Sequence, residues 1–204
     1  VSINLSNVNE APVLDNSGTM TLTIITEDQT ANAGNTVAEI IASAGGDRIT
    51  DVDAGAVEGI AIIALTSGNG AWEYSVNGGG RWGAVAAVSN NAALLLRSTD
   101  LLRFVPNAQN GTTADVTFRA WDQTSGSAGS KVDVSVNGGV TAFSTATELA
   151  TITVSAINDA PVNALPGTQS VSQGTTLVFS AAFANQASIA DVAAGANPAR
   201  PTLP

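Results

Sequence analysis

The sequence contains no cysteine and no histidine. Disulfide bridges, metal sites built on cysteine or histidine, and catalytic triads that depend on histidine are therefore excluded. Basic residues are also few, because 7 Lys plus Arg stand against 17 Asp plus Glu, which gives a formal net charge of −10. A protein surface that binds nucleic acid needs a basic face to meet the phosphates, so this charge balance argues against a nucleic-acid partner.

Long apolar runs are missing as well, since the longest unbroken one covers only residues 60–65. A bilayer span needs about 18 such residues, so we expect no membrane-spanning helix. The length of 204 residues fits one large or two small domains, and a hydrophobic content of 44% is enough to bury a core. Because the sequence begins at Val1, we expect the chain to be a segment of a longer protein.

What the sequence has in quantity is glycine, serine, threonine, valine and alanine. Short runs rich in β-branched residues recur between Asn-Gly and Gly-Gly breaks, a pattern typical of all-β proteins. The sequence therefore predicts an all-β, antiparallel Ig-like sandwich with no helix longer than about one turn.

Alternating or continuous apolar runs mark the strands. The predicted strands are 19–26, 37–42, 59–65, 72–76, 81–85, 92–96, 101–105, 116–121, 132–136 and 151–157. In the first of them Met20, Leu22 and Ile24 alternate onto one face. The nearly continuous apolar run at 59–65 indicates a strand covered on both faces. Residues 77–80 read Asn-Gly-Gly-Gly and favour a hairpin turn, because that turn requires positive φ angles.

Two pairs of segments in the sequence resemble each other. Residues 2–13 read SINLSNVNEAPV and residues 151–162 read TITVSAINDAPV, with six of the twelve positions identical. A second pair is ITDVDAGA at 49–56 and IADVAAGA at 189–196. Self-similarity at such a distance is typical of tandem repeat proteins.

The repeat divides the chain into three parts. We expect residues 1–8 to be the last strand of a preceding repeat, residues 9–158 to form one complete repeat, and residues 159–204 to be the truncated start of the next. A sandwich of this type needs about 100 residues, so the third part is too short to close a core by itself.

Seven of the 17 Asp and Glu residues fall in short clusters at the ends of predicted strands. The clusters are Asn9-Glu10, Glu27-Asp28, Asp51-Val52-Asp53, Asp122 and Asn158-Asp159. Calcium takes about six to eight oxygen ligands, and two carboxylates two residues apart can curl around one ion. Asp and Asn are also ordinary turn residues, so for Asp51 and Asp53 taken alone both interpretations stay open.

Several motifs together indicate a family. They are INDAPV at 157–162, ITED at 25–28, DVDAG at 51–55, WEYSVNGG at 72–79 and FRAWD at 118–122. On these motifs the chain resembles the cadherin-like (Ig-type β-sandwich) tandem repeats of giant RTX-type bacterial surface adhesins, over essentially the whole of residues 9–158. The resemblance implies a secreted, extracellular protein of the bacterial cell surface. In it, calcium ions between successive repeats would stiffen an extended rod that supports cell adhesion or biofilm formation.

The resemblance also assigns metal ligands to both ends of the repeat. At the upstream junction they are Glu10, Asp51, Asp53 and Asp122, with Asn9 as a weaker candidate. At the downstream junction they are Glu27, Asn158 and Asp159, with Asp28, Asp100 and Asp191 as weaker candidates. Asp100 is the nearest counterpart of the family's Asp-Arg-Glu motif at the base of a repeat, which has no full match here. Ala193 stands where the complete repeat has Asp53, so we expect weaker calcium binding downstream. The implied partners are adjacent repeats of the same chain, and host or surface ligands bound through other modules.

Two other functional classes compete with this interpretation. A glycosidase needs only two acids about 5 to 10 Å apart, but the sequence offers no other catalytic feature, so we expect the chain not to be an enzyme. The alternative function is a carbohydrate-binding module in which Trp72, Trp82 and Trp121 form a platform for sugar rings. Packing of the same indoles inside the sandwich is the competing interpretation, and three exposed coplanar indoles would decide for the sugar platform.

Overall fold

The computed structural model describes residues 8–191, so the predicted strand at 1–8, apart from Val8, and the position of Ala193 lie outside the described residues. The strands are β1 (Val13–Leu14), β2 (Met20–Thr21), β3 (Ile25–Thr26), β4 (Asn35–Thr36), β5 (Ile49–Thr50), β6 (Gly59–Leu65), β7 (Gly70–Ser75), β8 (Gly83–Ala84), β9 (Ala93–Arg97), β10 (Leu101–Pro106), β11 (Thr112–Trp121), β12 (Lys131–Val132), β13 (Glu148–Ser155), β14 (Val162–Ala164) and β15 (Ser188–Ala190). A helix α1 covers Val37–Ala42, and a single 3₁₀ turn covers Ala181–Phe183. None of the helices in this part of the chain has the length and apolar character to cross a membrane.

The strands form two main sheets. The larger has the order β12-β9-β6-β11-β13-β2, with β3 also paired to β13, and the smaller has the order β4-β10-β7-β8. Neighbouring strands are antiparallel, except that β2 and β3 run parallel to β13. Two short antiparallel pairs, β1-β5 and β14-β15, form separate two-stranded sheets. The predicted all-β sandwich is confirmed.

The main core lies between the two sheets. Ile62 and Phe118 from the larger sheet and Trp72 and Phe104 from the smaller are each at most 3% exposed. The rings of Trp72 and Phe104 meet edge to face with their centroids 5.2 Å apart, a geometry that aromatic pairs prefer. Burial of side chains of this size is the dominant favourable contribution to folding.

A second apolar cluster covers the outer face of the larger sheet. Ala61, Leu95 and Trp121 belong to this cluster and meet Phe143 from the long connection between β12 and β13. The first four residues of β6 are all buried. The structure thus confirms that this strand is covered on both faces, as its continuous apolar run at 59–65 predicts.

A bulge breaks the first predicted strand, 19–26, into β2 and β3. The two pieces pair with β13 at registers that differ by one residue, so the first strand carries one extra residue between them. Met20, Leu22 and Ile25 are buried, whereas Ile24 is 66% exposed. The prediction that Ile24 shares the buried face is wrong, because an extra residue moves every later side chain to the other face.

A helix replaces the predicted strand at 37–42. The side chain of Thr36 accepts a hydrogen bond from the Glu39 N–H at 3.1 Å, and the Glu39 carboxylate accepts one from the Thr36 N–H at 2.9 Å. This reciprocal pair is a capping box, which satisfies the free N–H groups of a helix start. Ile40 and Ile41 are buried, so the side of the helix that carries them faces the core. The Thr-x-x-Glu pattern was a helix signal that outweighs the β-branched composition of the segment.

The predicted hairpin is present, with a short second strand. β7 pairs antiparallel with β8, and Oδ1 of Asn77 accepts the Arg81 N–H at 2.9 Å within the connection. β8 is shorter than the predicted strand 81–85, and the predicted strand 132–136 is likewise reduced to β12. Both strands are at the edge of their sheet, where only one neighbour holds them.

The chain enters and leaves the sandwich at opposite ends of β11. This strand has ten residues and is roughly 33 Å long at about 3.3 Å per residue. Asn9, in the entering linker, contacts Asp122, which directly follows β11. At the other end Thr112, the first residue of β11, pairs with Val154 near the exit of β13. The predicted placement of the linkers at opposite poles is confirmed, and we call these poles the upstream end and the downstream end.

The sequence repeat corresponds to a structural repeat. β1 and β5 carry the first copies of the repeated segments, and β14 and β15 carry the second copies. In both pairs the valine of the Ala-Pro-Val motif lies opposite the residue before an aspartate, with Val13 facing Thr50 and Val162 facing Ala190. Among the residues that the structure describes, β14 and β15 pair with each other only.

Candidate metal sites at the two ends of the repeat

Polar contacts tie the entering linker to the upstream end of the sandwich. Nδ2 of Asn9 donates to Oδ2 of Asp122 at 2.9 Å and to the carbonyl oxygen of Thr141 at 3.2 Å. The backbone N–H of Glu10 donates to Oδ2 of Asp53 at 2.9 Å. Asn9 and Asp122, and likewise Glu10 and Asp53, are far apart in the sequence and lie in contact at this end.

A cavity of about 330 Å³ opens beside the linker. Its lining includes Asn9, Asp51, Asp53, Asp122 and Thr124. Asp51 follows β5 directly and Asp122 follows β11 directly, so two strand ends deliver these carboxylates to one place. Carboxylate and amide oxygens are the ligands that calcium prefers.

The backbone turn at Asp51 is of a common type. Oδ1 of Asp51 accepts the Asp53 N–H at 2.8 Å. Asp15 and Asp133, which are not candidate ligands, accept the N–H two residues further on at 2.9 and 2.8 Å. Since Asp forms such turns in many proteins, the turn-forming interpretation accounts for one carboxylate oxygen of Asp51.

The other carboxylate oxygen distinguishes Asp51 from these two residues. Oδ2 of Asp15 forms an ion pair with Arg48 at 2.7 Å, and Oδ2 of Asp133 accepts a hydrogen bond from Asn91 at 3.4 Å. Oδ2 of Asp51 is buried and has no hydrogen-bond partner among the described residues. A buried polar atom without a protein partner is usually satisfied by a water or an ion. The free Oδ2 therefore makes Asp51 the strongest candidate ligand at this end.

Asp122 is held by a residue that the sequence interpretation missed. Its Oδ1 accepts hydrogen bonds from the backbone N–H and the hydroxyl of Thr124 at 2.8 and 2.6 Å, and the residue is 3% exposed. Because each carboxylate oxygen has two lone pairs, Oδ2 keeps one acceptor position besides its bond from Asn9. The Asp-x-Thr spacing was the available signal for this support.

The carboxylates at the upstream end repel one another. The pKa of Glu10 is raised above its ordinary value by desolvation and by the neighbouring carboxylates of Asp53 and Asp51. The pKa of Glu58, which lines an adjoining cavity of about 300 Å³, is raised by burial and by the charge of Asp47. Both shifts mean that the ionised forms are disfavoured there. A bound cation would relieve this repulsion, and the sequence interpretation missed the contribution of Asp47 and Glu58.

Carboxylates alone do not complete a metal site in this arrangement. Within residues 8–191 no group of three or more acidic side chains is arranged to hold a metal ion. Metal binding at the upstream end would therefore draw on oxygen ligands of other kinds, such as the amide oxygen of Asn9 or backbone carbonyls, or on movement of the carboxylates toward one another.

At the downstream end the central residue is Glu27, which is 1% exposed. It directly follows β3, and its backbone N–H donates to the carbonyl oxygen of Ser155 at 3.0 Å. Oε1 accepts the N–H of Ile157 in the leaving linker at 2.9 Å, whereas Oε2 is buried with no hydrogen-bond partner among the described residues. Burying a carboxylate is costly unless its charge is compensated. Glu27 is therefore placed at the downstream junction, as predicted, with an acceptor oxygen available for a cation.

The next acidic residue of the leaving linker shows the same feature. Oδ2 of Asp159 is buried and has no hydrogen-bond partner within the described range, while Asn158 donates to the Asp159 carbonyl at 3.1 Å. Asp28 is exposed beside Glu27. Asp191 follows β15 as Asp51 follows β5, so the β14-β15 pairing brings it next to the linker.

Asp100 does not belong to the downstream end. Arg97 at the end of β9 lies opposite Gly59, which lies opposite Trp121, so the turn that holds Asp100 is at the upstream end. Asp100 is 2% exposed and forms an ion pair with Arg97 at 2.7 Å. Its assignment as a ligand at the base of the repeat is wrong, because an arginine of the same turn neutralises it there.

The three tryptophans do not form an exposed platform. Trp72 and Trp121 are 3% and 2% exposed, and their indole N–H groups donate to backbone carbonyl oxygens of Thr66 and Ser125 at 2.8 and 2.7 Å. Trp82 is half-buried, and the guanidinium carbon of Arg103 lies 4.0 Å from the centre of its ring. Packing inside the repeat accounts for these indoles.

Comparisons of the chain with protein-family models, with curated proteins and with solved structures gave no match.

Proposed function

We propose that this chain is a calcium-stabilised structural extender repeat of a large, secreted bacterial surface adhesin of the cadherin-like type. It has no catalytic role of its own and holds other modules away from the cell, which supports adhesion or biofilm formation. Its direct partners are the adjacent repeats of the same chain, and ligands on host or other surfaces bind to the other modules.

The head-to-tail organisation of the chain carries this proposal. The entering and leaving linkers lie at opposite ends of the sandwich. The leaving linker opens a second copy of the strand pair that begins the complete repeat. A module with this connection extends in one direction as copies are added, which is the property that a spacer requires.

The buried carboxylate oxygens without partners support the calcium part of the proposal. The upstream ion would be held by Glu10, Asp51, Asp53 and Asp122 together with Asn9, and the downstream ion by Glu27, Asn158 and Asp159, with Asp28 and Asp191 nearby. Calcium at these places neutralises the carboxylates that face each linker and so fixes the linker on the sandwich.

Thermal melting of the chain with calcium and with a chelator tests the proposal. Calcium should raise the melting temperature of the native chain, because a ligand that binds only the folded state stabilises it. The substitution Asp51→Asn should remove part of that rise. Asp133→Asn is the matched control, since Asp133 forms the same turn but has a partner for its second oxygen. The proposal fails if calcium leaves the melting temperature of the native chain unchanged, and Asp51 is no ligand if both variants respond alike.

A further inference from the structure

The pentapeptide Ser-Val-Asn-Gly-Gly occurs twice in the chain, at residues 75–79 and at residues 135–139. In each copy an asparagine precedes a glycine, whose backbone nitrogen is little hindered because glycine has no Cβ. Such a nitrogen can attack the side-chain amide of the asparagine before it. The two copies are equal as sequences, so a difference in their reactivity in the folded chain must come from the structure.

The backbone nitrogen that would attack is accessible in the first copy and held in the second. Gly78 is exposed, and its N–H has no hydrogen-bond partner among the described residues. A Cβ placed on Gly78 would meet no atom within 4 Å, so the backbone there has room to move. Gly138 donates its N–H to the Phe143 carbonyl at 2.8 Å, and a Cβ there would clash with the Thr145 side chain. Of these two nitrogens, that of Gly78 is the one that can reach its asparagine.

The side-chain amide that would be attacked is also bonded differently in the two copies. Oδ1 of Asn77 accepts the Ser75 hydroxyl at 2.8 Å and the Arg81 N–H at 2.9 Å. Attack on Cγ makes this oxygen an oxyanion, which two donors already at hydrogen-bond distance stabilise. In Asn137 it is Nδ2 that is held, because it donates to two backbone carbonyl oxygens at 3.1 and 3.2 Å. The bonds at Asn77 favour the attack, whereas those at Asn137 restrain the group that would have to leave.

The other two Asn-Gly steps of the sequence, at 69–70 and 110–111, are closely packed. A Cβ on the first glycine would clash with the Phe104 ring, and a Cβ on the second would clash with the backbone of Ala156. Their backbones have no room to shift toward the asparagine side chain. Among the four Asn-Gly steps, the one at 77–78 is therefore the reactive candidate.

We propose that Asn77 is a site of spontaneous deamidation that the fold of the hairpin promotes. The Gly78 nitrogen forms a bond to Cγ of Asn77, the Cγ–Nδ2 bond breaks, and Nδ2 leaves as ammonia with the proton of the Gly78 N–H. Water then opens the cyclic imide at either of its carbonyls, which yields aspartate or isoaspartate at this position. The reaction needs no enzyme, and it is independent of the extender role proposed above.

The product adds a negative charge at the upstream end. Ser75 lies opposite Leu101, which directly follows Asp100, so the hairpin connection lies at that end. An aspartate side chain at the position of Asn77 can accept the same two hydrogen bonds, and bonds to an ionised acceptor are the stronger ones. Formation of aspartate therefore changes the charge of the repeat and keeps the hairpin, whereas isoaspartate lengthens the backbone of the connection.

Peptide mapping by mass spectrometry, during incubation of the full chain at mildly alkaline pH, tests the site. In the folded chain we expect conversion at Asn77 to be about tenfold or more faster than at Asn137. In guanidinium chloride the two rates should agree within about twofold, because unfolding removes the contacts that distinguish the two pentapeptides. Equal rates in the folded chain, or a difference that persists after unfolding, would overturn the proposal.

A pair of serine variants isolates the contribution of the hydroxyl. Ser75→Ala removes a donor to the Asn77 amide oxygen, so conversion there should slow by about tenfold. Ser135→Ala is the matched control and should leave conversion at Asn137 unchanged, because the bonds of that amide go to backbone carbonyls. Urea denaturation shows whether Ser75→Ala is folded. Unchanged or faster conversion in a folded Ser75→Ala chain would overturn the role of the hydroxyl, and the comparison of folded and unfolded native chain needs no variant.

Discussion

The chain contains the same opening strand pair twice: β1-β5 belongs to a complete sandwich, whereas β14-β15 stands without one in residues 8–191. Ile49 of β5 is 4% exposed, whereas its counterpart Ile189 of β15 is 37% exposed. The strand pairing is the same in both copies. Pairing of the opening strands is therefore a local property of the repeated motifs, while burial of their side chains depends on the rest of the repeat.

The difference in burial arises from the strands that follow the opening pair and from the strand with which they pair. In the complete repeat β2 and β3 pair with β13, which comes from the far end of the same repeat. Between β14 and β15 the only regular element is the 3₁₀ turn at Ala181–Phe183. Apolar residues of this stretch such as Phe179 and Phe183 are 56% and 69% exposed. Within residues 8–191 the second copy has no strand equivalent to β13, and its apolar side chains stay exposed there.

The largest expected effect comes from replacing a phenylalanine with alanine, once in the complete repeat and once in the second copy. Phe104 is fully buried against Trp72, so Phe104→Ala should lower the free energy of unfolding by about 3 to 5 kcal/mol. Phe183→Ala should change it by less than about 0.5 kcal/mol, because the ring is already largely exposed. Urea denaturation followed by tryptophan fluorescence measures both values, since all the indoles belong to the complete repeat. A comparable loss in the two variants would mean that the second copy shares the core of the first.

Helix capping gives a smaller contrast of the same kind. Thr36 caps α1 through its side chain, whereas Ser180 precedes the 3₁₀ turn without a side-chain cap bond. Thr36→Ala should therefore cost about 1 kcal/mol, and Ser180→Ala should cost nothing measurable. Chemical denaturation of the two variants tests this, and a cost at Ser180 would show that the turn is more tightly held than its bonding indicates.

The smallest expected effect is a difference in pH dependence between two acids of the complete repeat. The pKa of Glu10 is raised by desolvation and neighbouring carboxylates, so its ionised form destabilises the folded state. Relative to Glu10→Gln, the native chain should lose stability as the pH rises through and above 4.5, the ordinary value of the group. The pKa of Asp133 is lowered by hydrogen bonds from Ser135, so its stabilising contribution is present above 3.8 and is lost as the pH falls below that value.

Melting temperatures of the native chain and the two variants, measured across this pH range with chelator, test the pair. At neutral pH the native chain should be less stable than the Glu10→Gln variant and more stable than the Asp133→Asn variant. Shifts of the same sign in both comparisons would contradict the repulsion described at the upstream end.

Sequence patterns predicted the parts of the fold that depend on local signals. The apolar run of β6, the turn at Asn77 and the internal repeat each have a direct structural counterpart. The bulge that exposes Ile24 had no local signal, because it is defined by the register with β13. The helix at Val37–Ala42 did have a signal, the Thr36 and Glu39 capping box, which the β-branched composition obscured.

The candidate site divides in a similar way. The resemblance to cadherin-like repeats assigned Asp51 and Asp122 to the upstream end and Glu27 to the downstream end, where the structure has them. Asp100 was misplaced, since the end of the sandwich at which its turn lies depends on the register of β9 with β6. Which carboxylate oxygens have no partner also could not be predicted, because this depends on burial and on neighbours from distant segments.

The pairing of the first strands with the last has a consequence for how the repeat folds. The Glu27 carboxylate and the Ile157 N–H that it accepts are 130 residues apart. Closing so long a loop costs chain entropy before any non-local contact repays it, which makes folding of high-contact-order sheets slow. In a chain that emerges into solution residue by residue, β2 and β3 cannot pair with β13 until β13 has emerged. In an array, each unit would then be completed only after its own final strand has emerged, so the repeat that is still emerging is always unfinished.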